Sequence, residues 1–144
     1  DLDRAVTHEI VLAGGAMGGM GMGGGMGPGG MQGMMARGMV WMINGHAVAE
    51  SDHGHAPLFT LARNQSCVMR FVNDTAWHHP MHLHGHFFRV LSRNGVPTRH
   101  REWRDTVLLA PRERAEVALV ADNPGDWMLH CHVLDHQAGG MMGT

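Results

Sequence analysis

Ala115-Glu116-Val117-Ala118-Leu119-Val120 alternates in character. In an extended chain Ala115, Val117 and Leu119 share one face while Glu116 and Ala118 share the other. That is the pattern of an antiparallel strand with one side against a core. Outward from it the chain repeats short apolar runs: Thr106 to Leu109 and Phe87 to Leu91 before it, Trp127 to Leu129 after it, and further upstream Thr7 to Leu12, Met39 to Ile43, Leu58 to Leu61 and Cys67 to Val72. Each has strand length and none has helix length. Between them lie Asn44-Gly45, Asn73-Asp74, Asn94-Gly95 and Asp122-Asn123-Pro124-Gly125, all with turn chemistry. Seven or eight short strands spaced by turns predict an all-β sandwich or barrel.

The 144 residues, 44% hydrophobic with a formal charge of -2, suit one domain spanning 1–144. Eleven Arg stand against thirteen Asp and Glu, so nucleic acid is not an expected partner. No apolar run approaches the roughly 18 residues of a membrane span. Asp1 to Thr7 has no basic and apolar regions like those of a signal peptide, as expected for a cytoplasmic protein or for an exported one in mature or truncated form. Residues 14–39 contain thirteen Gly and eight Met with no aromatic and no β-branched residue, a composition that builds no core. This stretch is read as a long insertion between the first two strands, whose closure entropy grows only slowly with length. Its thioethers are soft ligands that favour cuprous ion. The alternative is a solvated low-complexity linker whose Met residues shield neighbouring apolar surface.

Eight of the thirteen histidines lie in two stretches, His78-His79-Pro80-Met81-His82-Leu83-His84-Gly85-His86 and His130-Cys131-His132-Val133-Leu134-Asp135-His136. Imidazoles form cores less well than Val or Leu, so this density points to metal. On a strand His130 and His132 point to one side and Cys131 to the other, so one strand faces two sites. His82 and His84 share a face and can join His130 and His132 around a polymetal centre. On the opposite side Cys131 has His136 and Met141 on the loop after the strand and His79 in the first cluster. Two His, one Cys and a weak axial Met suit a blue-copper site. Zinc is the main metal alternative, but it favours paired thiolates, and Cys67 has no neighbouring ligand. A nucleophilic Cys-His pair accounts for neither Met141 nor the flanking histidines.

The segments His79-Pro80-Met81-His82-Leu83-His84-Gly85-His86 and His130 to His136 with Gly140-Met141 resemble the two copper motifs in the last cupredoxin domain of multicopper oxidases. The resemblance covers about residues 39–144 and is nearest to laccases and bacterial copper-resistance oxidases, through Asn73-Asp74-Thr75, Pro124-Gly125-Asp126-Trp127 and the Met-rich insertion. It implies a cupredoxin-like Greek-key sandwich. It also implies type 1 copper on His79, Cys131, His136 and Met141, type 2 copper on His82, and the type 3 pair on His84, His130 and His132. The implied reaction is one-electron oxidation of a phenol, an aromatic amine or cuprous ion, with Cys131, His130 and His132 carrying electrons to a trinuclear centre that reduces dioxygen to water. A one-domain blue-copper carrier or copper-binding protein without oxidase activity is the alternative.

In that family an N-terminal cupredoxin domain supplies the other half of the trinuclear histidines. The expected remedies are that domain or a homo-oligomer, a trimer before other rings, and the family resemblance implies a periplasmic or secreted location. His53-Gly54-His55 is the remaining His-X-His and reads as a polar loop before a substitute ligand pair. Gln137 stands where some relatives carry a carboxylate, and an amide cannot relay protons. Trp77 and Trp127 are expected to pack rather than to conduct.

Overall fold

A computed structural model describes residues 1–15, 40–49, 51–52 and 54–144. Residues 16–39, and with them most of the Gly- and Met-rich stretch, lie outside the described residues, as does His53. The strands run, in chain order, β1 Val6–Gly14, β2 Trp41–Ile43, β3 Ser66–Asn73, β4 His79–Leu83, β5 Phe88–Arg93, β6 Val96–Pro97, β7 Trp103–Arg104, β8 Thr106–Leu109, β9 Arg114–Val120, β10 Leu129–Cys131 and β11 Met142–Gly143. One sheet has the order β2-β1-β3-β9-β5-β6, with β7 also on β5, and the other has the order β11-β10-β4-β8.

β9 is the strand its alternation predicts: Ala115, Val117 and Leu119 are buried while Glu116 and Ala118 are half-buried. It is antiparallel to β3 and β5, and β1 lies parallel to β3. Ile10, Met69, Phe71, Phe88 and Val117 of the larger sheet form one core with Met81, Leu109 and Leu129 of the smaller. Each such side chain contributes about 1.5–3 kcal/mol by leaving water. The Asn94-Gly95 turn joins β5 to β6 with φ 47° and 79°, the left-handed pair that this dipeptide accommodates in a tight hairpin.

Three expectations need correction. Leu58 to Leu61 is not a strand: the segment packs partly buried on the core, with Leu58 N–H donating to Thr144 O. An apolar run reports burial, and this one is buried as loop. The strand expected at Trp127 to Leu129 is shifted to Leu129–Cys131, because pairing with β4 sets its register. Helix α1, Leu134–Ala138, occupies what was read as loop; at five residues it is one turn too short to show a period. No helix among the described residues is long and apolar enough to cross a membrane.

Candidate metal centre

β4 and β10 pair antiparallel with Leu83 opposite Leu129, His82 opposite His130 and Met81 opposite Cys131. Alternation then sorts the side chains. His79, Met81 and Leu83 of β4 and Leu129 and Cys131 of β10 are buried with the core, while His82 and His130 belong to the other face. A single three-residue strand thus presents a thiol inward and an imidazole outward.

On the core side the Cys131 Sγ lies 3.7 Å from His79 Nδ1 and 3.6 Å from His136 Nδ1, and the three ligand atoms lie within 4.8 Å of one another. His136 is brought in by α1. Met141 is fully buried; its N–H donates to His136 O and its carbonyl accepts from Cys131 N–H, which fixes it beside both. Burial, then the neighbouring His136 and His78, holds His79 down to about 4, so its imidazole is neutral at pH 7. Burial also lowers His136 and pushes the Cys131 thiol up, the latter opposed by the Val133 amide. These side chains therefore favour a neutral donor set, and a cation bound between them would displace the thiol proton.

On the outer face His82, His84 and His130 form a second group within 4.8 Å. β4 ends at Leu83, so His84 reaches this group through the turn at Gly85 rather than by strand alternation, and its ring lies 4.8 Å from that of His82. His132 stands at the edge, its ring 5.7 Å from that of His130 and 5.8 Å from that of His82.

Hydrogen bonds settle two tautomers here. His82 Nδ1 lies 3.1 Å from Asp105 O and His130 Nδ1 lies 2.9 Å from Cys131 O. A carbonyl can only accept, so both Nδ1 atoms carry a proton, and in the neutral ring the lone pair is on Nε2. The Nε2 atoms of His84 and His130 are 3.0 Å apart, a separation that a proton or a cation must bridge. Burial, then His82 and His132, lowers His84; burial lowers His130, against the raising effect of its bond to Cys131 O. Both shifts favour the neutral ring, which leaves lone pairs for metal on His84 and His130. One soft thiolate with two imidazoles inside, and imidazoles alone outside, fit copper chemistry better than a zinc site with paired thiolates.

All eight residues expected from the motifs fall in these two places: His79, Cys131, His136 and Met141 inside, and His82, His84, His130 and His132 outside. His55 does not join them. Its Nδ1 bonds to Asp52 O at 2.9 Å and its Nε2 to Thr144 Oγ1 at 3.3 Å. Cys67 is fully buried in the other sheet. Sequence reading missed Trp41, whose ring centroid lies 5.1 Å from that of His79 and 4.2 Å from that of His136. It also assigned no contact to Asn73 or Thr75, which lie directly behind His79. Their polar type at buried positions was the available signal.

The chain is 39% identical over 101 residues to the multicopper oxidase MmcO of Mycobacterium tuberculosis, covering 70% of this chain and 18% of that one. It is 34% identical over 108 residues to laccase-2 of Fomitopsis schrenkii, covering 71% and 20%. A multicopper oxidase from Pseudomonas thermotolerans superposes with a TM-score of 0.78 at 30% identity, covering 99% of this chain and 29% of that one. The chain thus spans less than a third of the length of these relatives, and its fold is cupredoxin-like, as theirs is. Residues 31–144 match the sequence profile of multicopper oxidases, and with both motif clusters in place the chain belongs to that copper-dependent family.

Proposed function

We propose that the chain is the part of a laccase-like oxidase that holds the type 1 copper and half of a trinuclear copper centre. The observation that carries this reading is the two-faced strand β10: Cys131 joins His79 and His136 in the core while His130, one residue away, joins His82 and His84 outside. Copper held there would take single electrons from a phenol, an aromatic amine or cuprous ion and deliver them to dioxygen, giving water. The chain's own part is to hold the two donor sets apart and connect them. Cys131 is bonded through its amide nitrogen to His130 and through its carbonyl carbon to His132, a continuous covalent path between the faces. By donating from Nδ1, His82 and His130 turn Nε2 toward the cluster, where that of His130 stands 3.0 Å from the Nε2 of His84. Asp105 supplies one of those carbonyls, and Thr106 Oγ1, which itself donates to Asp105 Oδ1 at 3.0 Å, accepts from His82 at 3.0 Å.

Four imidazoles on an outer face make an open half-site. His84 and His132 are exposed, which favours completion by another cupredoxin domain or by further copies of the chain, a trimer being the expected ring. A periplasmic or secreted location belongs to the same reading. The second reading, a blue-copper carrier, is favoured by the completeness of the inner site in this chain alone.

Copper loading tests both. About one copper per chain, a thiolate-to-copper band in the visible and no oxygen uptake support the carrier, whereas additional copper with catalytic oxygen uptake supports the oxidase. Cys131→Ser should remove the band. His82→Ala should spare the band and stop oxygen reduction. A Cys131→Ser variant that keeps the band overturns the assignment.

A further inference from the structure

Behind His79 lies a closed set of buried polar groups, and counting its protons decides the state of the imidazole. Asn73, Thr75 and His79 are 1%, 0% and 0% exposed. Asn73 Nδ2 lies 2.7 Å from Trp77 O, 2.8 Å from Ala110 O and 3.5 Å from Leu109 O. Carbonyls only accept, so that atom is the amide nitrogen and the other is Oδ1, an acceptor with no proton of its own. Oδ1 accepts Thr75 N–H at 3.1 Å and stands 2.7 Å from Thr75 Oγ1. Two oxygens at that distance repel unless a hydrogen lies between them, and only threonine can supply it. Trp77 O, 3.3 Å from Oγ1, is a more distant acceptor for the same proton and likewise returns none.

The single hydroxyl proton of Thr75 is therefore used on Asn73. Its oxygen then accepts Trp77 N–H at 3.1 Å and faces His79 Nε2 at 2.8 Å. With no proton left to give, it can only accept from the imidazole. A neutral imidazole carries one N–H, so that proton is on Nε2 and the Nδ1 lone pair faces Cys131 Sγ, 3.7 Å away. His82 and His130 are fixed the opposite way, by backbone carbonyls at Nδ1.

We propose that Thr75, with its hydroxyl oriented by Asn73, is a positioning residue that fixes His79 as the Nε2–H tautomer and so presents Nδ1 to the pocket shared with Cys131. That Nδ1 serves as a copper ligand rests on the functional reading above; the tautomer does not. The device matters because a mobile proton would spend part of its time on the ligand atom, and partners that orient metal-binding histidines typically account for about 10- to 100-fold in affinity.

The test is nitrogen NMR of the metal-free full chain labelled in histidine, followed by copper titration against a chromophoric chelator. In the wild type His79 should show a pyrrole-type Nε2 and a pyridine-type Nδ1. Thr75→Val should move the population toward Nδ1–H and weaken copper binding by about 10- to 100-fold. Thr75→Ser should restore both, which a purely steric role for threonine would not do. Thr75→Ala replaces the valine variant should that one misfold. A wild-type His79 protonated at Nδ1 overturns the proposal, as does a valine or alanine variant with unchanged tautomer and affinity. The predicted tautomers without a thiolate-to-copper band on loading would uphold the role of Thr75 and overturn the copper reading instead.

Discussion

The indole of Trp41 packs 4.2 Å, centroid to centroid, from the imidazole of His136 and 5.1 Å from that of His79, so one side chain backs both histidines that face Cys131. Trp41 is 6% exposed, its backbone N–H donates to Gly139 O just past α1, and Trp77 meets its ring edge-on at 6.3 Å. Trp41→Ala should lower the unfolding free energy by about 3–5 kcal/mol and Trp41→Phe by clearly less, read from urea melts of metal-free protein. A loss under about 1 kcal/mol in the alanine variant would mean the ring is not packed as described.

Gly85 governs how His84 reaches the outer cluster. Its φ is 71°, and a Cβ there would run into the Trp127 ring. The turn is closed by Asn123, whose Nδ2 donates to Gly85 O at 3.0 Å and whose carbonyl accepts from Trp127 Nε1 at 2.8 Å. Gly85→Ala should cost about 1–3 kcal/mol from overpacking alone, with left-handed strain added, and should shift the tryptophan fluorescence. Unaltered stability and fluorescence would show that the turn does not depend on glycine.

Alternation in Ala115 to Val120 and the turns at Asn44-Gly45 and Asn94-Gly95 report local physics, and they mark strands correctly. The opposite facing of Cys131 and His130 followed from the two-residue period of a strand, although β10 is only three residues long. Leu58 to Leu61 misled because hydrophobicity reports burial and not pairing, and α1 escaped because one turn has no period. Thr75 did leave a local signal, a hydroxyl close in sequence to Asn73, Trp77 and His79, although its role needs the folded geometry; Trp41 lay beyond reach, because it packs on His136 across 95 positions. Contacts between sequence-distant residues leave no trace in a local pattern.

Glu116 stands opposite Arg70 on β3 and Ser92 on β5, accepting from Ser92 Oγ at 2.9 Å and from Arg70 Nε at 3.0 Å. The Ser92 hydroxyl first, and then Arg70, hold its carboxyl below the ordinary 4.5. As pH falls the unfolded chain takes up this proton before the folded one does. The associated stability is complete above that ordinary value and is lost as pH drops through the folded value. Glu116→Gln should therefore flatten the acid limb of stability as pH falls below the ordinary 4.5. An acid limb as steep in the glutamine variant as in the wild type would remove Glu116 as its source.

The alkaline limb isolates a different group, because the chain has no Tyr and no Lys, the side chains that ordinarily titrate near pH 10. Cys67 sits opposite Val6 on β1 and Leu119 on β9, fully buried, and burial pushes its thiol from 9.0 up to about 11. Above pH 9 the unfolded chain loses this proton while the folded chain keeps it, so stability is complete below 9 and falls as pH rises toward 11. The gap corresponds to about 3 kcal/mol. Cys131, also raised by burial, adds to the same limb. Cys67→Ala should accordingly remove part of the decline rather than all of it, and native Cys67 should resist alkylation at pH 8 until urea opens the sheet. Rapid labelling of Cys67 in the folded protein would contradict the burial on which the shift depends, since a thiol that reagent reaches is one that water reaches too.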